Sequence, residues 1–373
     1  MEEFLWSCKE SLKVDRAGSE LHVVLGNEAC DVDSMVCALT YAYFLSQTGD
    51  RLVLPLLNIR EAELLLHGDN LQLLRQVGLS PHLLLFRDQL DLPALHRDGR
   101  LRLTLVDHNV LPSSDSFLEA AVVEVIDHHL LERDSSPSCP VTVETVGSCA
   151  TLVTERIMQK APEMLDQQVA LLLYGEHLNA SLRHLNASLR HLNASLRHLN
   201  ASLRIITTPE RIITTPERII TTPEPSVVLD CLNMPPSGGP GTPRDRVLLA
   251  SLESLVPSLP DRERLYRKLQ DARRDVSGLN THQMLLKDMK SVSGRLNVGI
   301  SVIYLPLEVF LQRAGLEAEL SGFCLKLGFD LLLLMTISLS ESQEPIRGLA
   351  AFSHSAACRQ QVPAGSWRSH GGN

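Results

Sequence analysis

Short apolar runs separated by amphipathic stretches set the pattern of residues 21–130. The strand candidates are the runs 21–25, 52–57, 83–86, 101–106 and 122–126, and helical periodicity marks 35–46 and 61–77. Strands that alternate with helices predict βαβ units and a mostly parallel sheet flanked by helices, an α/β fold. After residues 141–144, a helical stretch extends from Cys149 to about Tyr174, with Ser148 as its N-cap.

A second region of helices and strands follows a linker. Residues 235–244 are rich in Pro and Gly, which predicts the linker. Beyond it, 245–290 has a charged, helical pattern, and 296–305, 329–339 and 346–352 have strand patterns. We therefore expect a first domain over 1–234, a smaller C-terminal α/β domain over 245–356, and a disordered polar tail over 357–373.

Two tandem repeats interrupt the first domain over residues 176–225. His-Leu-Asn-Ala-Ser-Leu-Arg occurs four times over 177–204, and its leucines alternate spacings of four and three, which predicts an amphipathic helix. Ile-Ile-Thr-Thr-Pro-Glu-Arg follows almost three times, and its regular prolines predict extended, loosely ordered chain over 205–225. The repeats are either a coiled-coil interaction arm or a tandem duplication without a selected role, and the identity of the copies favours the duplication.

Composition narrows the classes of function. The formal net charge of −9 argues against general nucleic-acid binding, which needs a basic surface. No apolar run approaches the length needed to span a bilayer, and the acidic N-terminus lacks a signal-peptide pattern. The eight cysteines have no disulfide-framework or CxxC spacing, so we expect reduced thiols in a cytoplasmic protein.

Acidic residues follow four of the apolar runs, and histidines accompany two of them. The residues concerned are Asp31 and Asp33, then Asp107-His108, then Asp127-His128-His129, then Asp230. Because the carboxyl ends of parallel strands share one edge of a sheet, these side chains can converge there. Carboxylates and imidazoles suit Mn²⁺ or Mg²⁺, so a divalent metal site is favoured over a chance series of loop-starting Asp residues.

These motifs resemble those of the DHH phosphoesterase superfamily, which is named for the triplet Asp127-His128-His129. The wider context is similar to the animal prune exopolyphosphatase family over about residues 1–175 and 226–356, notably at 27–31, 146–151 and 275–279. The resemblance implies a DHH domain followed by a DHHA2 domain. It also implies metal-dependent hydrolysis of short-chain inorganic polyphosphate by two cations, Mn²⁺ or Mg²⁺, that hold a bridging hydroxide.

The same resemblance implies roles for individual residues at the metals. Asp31 would bind the first ion and Asp107 would bridge both, while the second ion would be held by Asp33, His128 and Asp230. Asp127 would orient the histidines. His108 would either support Asp107 or bind metal itself.

Substrate contacts are implied in the same way. His129 would donate to a phosphate oxygen and act with Asp107 in catalysis, and Lys290 of an Asp-x-Lys element would bind phosphate. Asn27 stands where pyrophosphatases carry His, and its amide oxygen would be a weaker ligand than imidazole. The expected preference therefore shifts away from pyrophosphate.

Two other functions are compatible with the sequence. One is a cyclic-nucleotide phosphodiesterase that uses the same metal pair. The other is a largely non-catalytic signalling adaptor, because prune-like proteins are associated with nucleoside diphosphate kinase and cytoskeletal partners. The intact acidic residues favour an enzyme, whereas the insertion favours an adaptor. The resemblance adds the nucleus as a second location beside the cytoplasm.

Overall fold

The structure is a computed structural model that describes residues 1–13, 20–49, 52–133, 139–180, 213–214, 242–294, 296–340 and 345–353. The chain divides into two compact units. The first contains Met1–Ser188 and Pro225–Arg273, and the second contains Leu189–Glu224 and Arg274–Asn373.

A five-stranded parallel sheet forms the centre of the first unit. Its strands are β1 (Leu21–Leu25), β2 (Val53–Leu56), β3 (Leu101–Val106), β4 (Val122–Asp127) and β5 (Val141–Val143). They lie in the order β2-β1-β3-β4-β5, and every neighbouring pair is parallel. Strands buried on both faces are nearly continuous apolar runs, which is why the sequence identifies them. The predicted α/β fold with a mostly parallel sheet is confirmed.

Helices cover both faces of this sheet. In the first unit they are α1 (Glu2–Lys13), α2 (Val32–Thr48), α3 (Gly68–Val77), α4 (Leu92–Arg97), α5 (Cys149–Lys160), α6 (Gln167–Ala180), α7 (Pro243–Leu255) and α8 (Arg262–Arg274). On one face, Val24 packs in a core built with α2, α3 and α5–α8. On the other face, Val23 and Leu25 pack with residues of α1, α4 and the 3₁₀ segment Ser113–Ala121.

Three predicted elements differ in the structure. The run 83–86 is not a strand, because it continues a 3₁₀ turn at Pro81–Leu83 and makes only one bridge, between Leu57 and Phe86. The helix predicted from Cys149 to Tyr174 ends at Lys160, since Pro162 cannot continue it. The helical pattern at 61–77 divides into the 3₁₀ helix Glu61–Leu66 and α3.

The border between the two units also differs from the predicted domain border at 235–244. Helices α7 and α8 belong to the first unit. Their apolar faces, which include Leu249, Leu252, Leu265 and Leu269, are buried in the core that also contains Val36. The second unit therefore resumes at Arg274 and not at residue 245.

The second unit is built around a mixed sheet. Its strands are β6 (Ile213–Thr214), β7 (Met289–Val292), β8 (Val298–Ile303), β9 (Leu331–Leu339) and β10 (Pro345–Phe352), in the order β6-β10-β9-β8-β7. Only β8 and β9 among these pairs are parallel. Helices α9 (Thr281–Lys287), α10 (Leu307–Leu311) and α11 (Leu316–Leu327) complete the smaller α/β unit, and their apolar residues share one core with the sheet.

The insertion is described only in part. Helix α6 continues to Ala180, so the first four repeat residues, 177–180, are helical as predicted. Ile213 and Thr214 pair with β10. The predictions for 181–212, for 215–241 including Asp230, and for the tail from 354 onward lie outside the described residues. Within the described residues, no helix combines the length and the apolar character that crossing a membrane requires.

Candidate metal centre

The turn from β1 to α2 holds the first pair of acidic residues. Asp31 is the N-cap of α2, and its Oδ1 accepts a hydrogen bond from the Ser34 N–H at 3.1 Å. The Asn27 N–H donates to the Ser34 Oγ at 2.7 Å, which closes the loop on the first helical turn. A Cβ at Gly26 would lie 2.3 Å from that same Oγ, so a side chain at this position would displace the hydroxyl from its hydrogen bond with Asn27.

Asp33 joins α2 to the beginning of α5. Its carboxylate is fully buried and accepts hydrogen bonds from the N–H groups of Cys149 at 2.8 Å and Ala150 at 2.9 Å. The Ser148 hydroxyl lies 2.9 Å from Asp33 Oδ1 and also accepts from the Ala150 N–H, which confirms Ser148 as the N-cap. The first N–H groups of a helix have no partner within it and carry positive partial charge, so they stabilise an ionised Asp33.

Asp107 directly follows β3, and its backbone is in the left-handed region, at a φ of 63°. Asn27 holds it there, because its Nδ2 donates to Asp107 Oδ2 at 2.8 Å and to the Asp107 carbonyl at 3.2 Å. The other end of the Asn27 amide is also used, since Oδ1 accepts from the Cys30 N–H at 3.0 Å. A non-glycine residue in this backbone region costs free energy, and such residues concentrate at functional sites.

Asp127 is the anchor of the two following histidines. Its Oδ1 accepts from the His128 N–H and from His129 Nδ1, both at 2.7 Å, and its Oδ2 accepts from Asn109 Nδ2 at 2.6 Å. Burial alone would raise the pKa of Asp127, but these hydrogen bonds and the His129 ring hold the pKa below its usual value. Asp127 is therefore an ionised carboxylate that fixes the orientation of its neighbours.

His128 presents its Nε2 to two buried carboxylates. Its Nδ1 lies 3.0 Å from the Val146 carbonyl, which can only accept, so Nδ1 carries a proton. In the neutral ring Nε2 then carries the lone pair, and it lies 3.3 Å from Asp107 Oδ1 and 3.6 Å from Asp33 Oδ2. Lone pairs at these distances repel one another unless a proton or a metal cation lies between them.

His129 completes a group of metal-type ligands. One ligand atom from each of Asp107, His128 and His129 lies within 4.8 Å of the others, and the two imidazole centroids are 4.3 Å apart. Each histidine is oriented through Nδ1, by a backbone carbonyl or by a carboxylate, which is the usual arrangement around metal-binding histidines. Imidazole nitrogens beside carboxylate oxygens fit a divalent cation such as Mn²⁺.

The remaining predicted site residues lie outside this three-residue group. Asp31 lies on the neighbouring turn, and Asp230 lies outside the described residues. Lys290 is exposed in the second unit, on strand β7 and not on the predicted helix. The Nδ1 of His108 donates to the Val106 carbonyl at 3.0 Å, and burial lowers the pKa of this ring. Both predicted roles of His108, support of Asp107 and metal binding, stay predictions.

Sequence reasoning missed several residues that position the site. Asn109 donates to Asp127 and to the Leu130 carbonyl, and its Oδ1 accepts from the Glu132 N–H, so it joins the loops after β3 and β4. The only signal for it in the sequence is an amide directly after Asp107-His108. The Val146 carbonyl gives no signal at all, because a backbone acceptor is visible only in three dimensions.

Family models match most of both units. The DHH family, N-terminal domain, matches residues 22–175, and the DHHA2 domain matches residues 267–366. The second match continues past residue 356, where the sequence pattern places the end of that domain. Both predicted domain families are therefore present in the predicted order.

Whole-chain relatives give the same result. Exopolyphosphatase PRUNE1 of Mus musculus is 42% identical over 365 residues, which cover 97% of this chain and 69% of that protein. The Homo sapiens protein of the same name is 41% identical over 373 residues, which cover 99% of this chain and 71% of that protein.

A solved structure supports the fold. The crystal structure of a Methanococcus jannaschii protein assigned to the family II inorganic pyrophosphatases has a TM-score of 0.50 at 16% identity, covering 85% of this chain and 84% of that one. The chain belongs to the family of PRUNE1 proteins, within the group that joins a DHH domain to a DHHA2 domain.

Proposed function

We propose that this chain is a metal-dependent hydrolase of phosphoanhydride bonds that acts on short-chain inorganic polyphosphate. One observation carries the proposal: His128 Nε2 lies 3.3 Å from Asp107 Oδ1 and 3.6 Å from Asp33 Oδ2, an arrangement that a divalent cation would stabilise. The relatives that bear the name exopolyphosphatase support the choice of substrate class.

The proposed ligands follow the strand ends. Asp31 would hold one cation, Asp107 would contact two, and the second would be completed by Asp33, His128 and Asp230. When bound, two ions of Mn²⁺ or Mg²⁺ would neutralise phosphoryl charge and activate a water molecule. Hydrogen bonds already hold the proposed ligands in place: two backbone N–H groups donate to Asp33, and the Asn27 amide donates to Asp107.

His129 is the proposed substrate-contacting residue. Its Nδ1 is bound to Asp127 at 2.7 Å, and the side chain is 34% exposed, so Nε2 is the ring nitrogen left for a phosphate oxygen. A protonated ring can donate from Nε2 while the ionised Asp127 balances its charge. Asp127 thus serves the reaction through His129 without a substrate contact of its own.

Asn27 has a different proposed role from the one that the resemblance implies. Because its Oδ1 accepts from Cys30 and its Nδ2 donates to Asp107, we propose that Asn27 positions Asp107 and does not bind metal or substrate directly. Lys290 remains the proposed phosphate-binding cation of the second unit. Binding of nucleoside diphosphate kinase or cytoskeletal partners and the cytoplasmic or nuclear location stay predictions.

Phosphate release from tripolyphosphate tests the proposal. Purified full-length chain should release phosphate with Mn²⁺ or Mg²⁺ and stop when the metals are chelated, and it should hydrolyse pyrophosphate more slowly. His128→Gln, which keeps a polar group of similar size, should lose the metal-dependent rate. Release that persists in chelator would overturn the metal-dependent mechanism, and a faster reaction with a cyclic nucleotide would establish the phosphodiesterase instead.

A further inference from the structure

One short loop supports both sides of the metal centre. In the segment 146–150, the Val146 carbonyl accepts from His128 Nδ1 at 3.0 Å. Three and four residues later, the Cys149 and Ala150 N–H groups donate to Asp33. A displacement of this loop would therefore move a histidine and a carboxylate of the centre at once. A residue that holds this loop in place should therefore affect the affinity for the metal.

Asp245 on α7 fixes it. This carboxylate is only 1% exposed, and its Oδ2 accepts from the Gly147 N–H at 3.0 Å while its Oδ1 accepts from the Thr151 hydroxyl at 2.5 Å. It also closes the capping box of its own helix, because the Thr242 N–H donates to Oδ2 at 2.5 Å. The loop is thus bound at two points, just before and just after the donors to Asp33.

The backbone at Gly147 approaches this carboxylate closely. A Cβ at residue 147 would lie 2.7 Å from Asp245 Oδ2, inside normal contact distance. A side chain at residue 147 would have to displace the Asp245 carboxylate, so glycine is favoured here by the close contact and not by a left-handed backbone. The small residue at position 147 therefore allows the close approach of the Asp245 carboxylate to the loop backbone.

We propose that Asp245 is a positioning residue of the metal centre, which acts through the loop 146–151 on His128 and Asp33. The proposal rests on the proposed metal-dependent function, because it assigns Asp245 to that same centre. Asp245 itself is placed in contact with neither metal nor substrate. Its contribution is to hold the Val146 carbonyl and the helix N-terminus of α5 where their partners need them.

A purely structural clamp is the competing explanation, and α7 offers a matched control for it. Glu253 lies on the same helix, and its Oε1 accepts from the Tyr174 hydroxyl at 3.0 Å and from Arg262 Nη2 at 2.8 Å. It ties α7 to α6 and α8 and not to the loop 146–151. Loss of Glu253 should therefore lower stability without changing metal affinity.

The test compares full-length variants by calorimetric Mn²⁺ titration and by unfolding midpoints in chelator. Asp245→Asn keeps the shape but replaces an ionised carboxylate by a neutral amide, whose single oxygen can accept from the Gly147 and Thr242 N–H groups only with its N–H₂ toward the Thr151 hydroxyl. The loop bonds are weakened because charge-assisted hydrogen bonds become neutral ones, and we expect Mn²⁺ affinity to fall about tenfold. Thr151→Val removes one of the two loop bonds and should weaken affinity about threefold, while Thr151→Ser should restore it. Glu253→Gln should bind Mn²⁺ like the wild type.

The outcomes separate the two proposals. Mn²⁺ affinity equal to the wild type in both Asp245→Asn and Thr151→Val, with reduced unfolding midpoints, would overturn the positioning role alone. Absence of Mn²⁺ binding by the wild-type chain would overturn the metal centre and this role together. If Asp245→Asn does not fold, the Thr151 pair decides, because a loss in the Val variant that the Ser variant restores supports the proposal.

Discussion

Two polar clusters in the first unit compensate buried charge in different ways. In the first, the Arg156 guanidinium donates to Glu124 Oε1 at 2.6 Å, to the Tyr41 hydroxyl at 2.7 Å and to Thr142 Oγ1 at 2.7 Å. The Tyr41 hydroxyl in turn donates to Glu124 Oε2 at 2.9 Å. This cluster joins α2, α5, β4 and β5, and the carboxylate within it is matched by a cation from the chain.

The metal centre is the second cluster, and its carboxylates contact backbone N–H groups, a hydroxyl, an amide and imidazole rings, with no guanidinium among the partners named here. Asp33 accepts from backbone N–H groups and a hydroxyl, and Asp127 accepts from an amide, a backbone N–H and an imidazole. These donors fix the orientation of several neighbouring carboxylates. The comparison teaches that the chain itself completes the Arg156 cluster, whereas a bound cation would complete the metal centre.

The largest expected effect comes from Asp107. Asp107→Asn should reduce kcat/KM for tripolyphosphate at saturating Mn²⁺ by more than Asp127→Asn, for which a loss of about 10–100-fold is expected from a supporting residue. The reason is that Asp107 would contact both ions. Arg156→Met serves as the control and should retain the wild-type rate. Equal losses in the two Asp variants would remove the distinction between ligand and support.

Arg156 should matter for stability instead. Arg156→Met leaves Glu124 and Tyr41 without their guanidinium partner, so the free energy of unfolding in urea should fall by about 1–3 kcal/mol. The pair is partly solvated, which keeps the effect below that of a fully buried ion pair. Unchanged stability would mean that water replaces the guanidinium without loss of free energy. The Arg156 cluster would then not depend on a cation supplied by the chain.

Asn27 should have an intermediate effect on metal affinity. Asn27→Ala removes the hydrogen bond to Asp107. A hydrogen bond to a charged group contributes about 1.5 kcal/mol, so its loss should weaken Mn²⁺ binding about tenfold. Asn280→Ala, at the N-cap of α9 in the second unit, is the matched control and should leave affinity unchanged. Calorimetric titration of both variants checks this, and equal affinities would contradict the positioning role of Asn27.

The smallest expected effect is a gain in stability. Without metal, Asp107→Asn should stabilise the chain by about 1 kcal/mol, because it removes negative charge beside Asp33 while Asn tolerates the left-handed backbone. Thermal unfolding in chelator measures this change. With added Mn²⁺ the wild type should become the more stable of the two chains, because only the wild type gains stability from bound metal. A destabilised variant in chelator would show that the carboxylates do not repel one another.

The sequence predicts the position of the centre because its signals are local. The buried run of β1, the capped start of α2 and the acidic residues at 107 and 127 each depend on a few neighbouring residues. The rule that parallel strands share one carboxyl edge then brings them together. Asp107, His128 and His129 converge for that reason.

Contacts between distant segments are what the sequence does not reveal. The bond from Asp33 to the start of α5 joins residues more than a hundred positions apart. Likewise, α7 and α8 have ordinary amphipathic patterns that do not say which core they cover, and they pack in the first unit. The run 83–86 is as apolar as a strand but makes one bridge only, because strand pairing depends on its neighbours.

Equilibrium dialysis against Mn²⁺, with the bound metal counted per chain, tests the central claim most directly. The wild type and Arg156→Met should each bind two ions per chain, and Asp107→Asn should bind fewer, because the claim places the cations at the acidic edge and not at the Arg156 cluster. A wild-type chain that binds no Mn²⁺, or an Asp107→Asn variant that binds as much as the wild type, would contradict it.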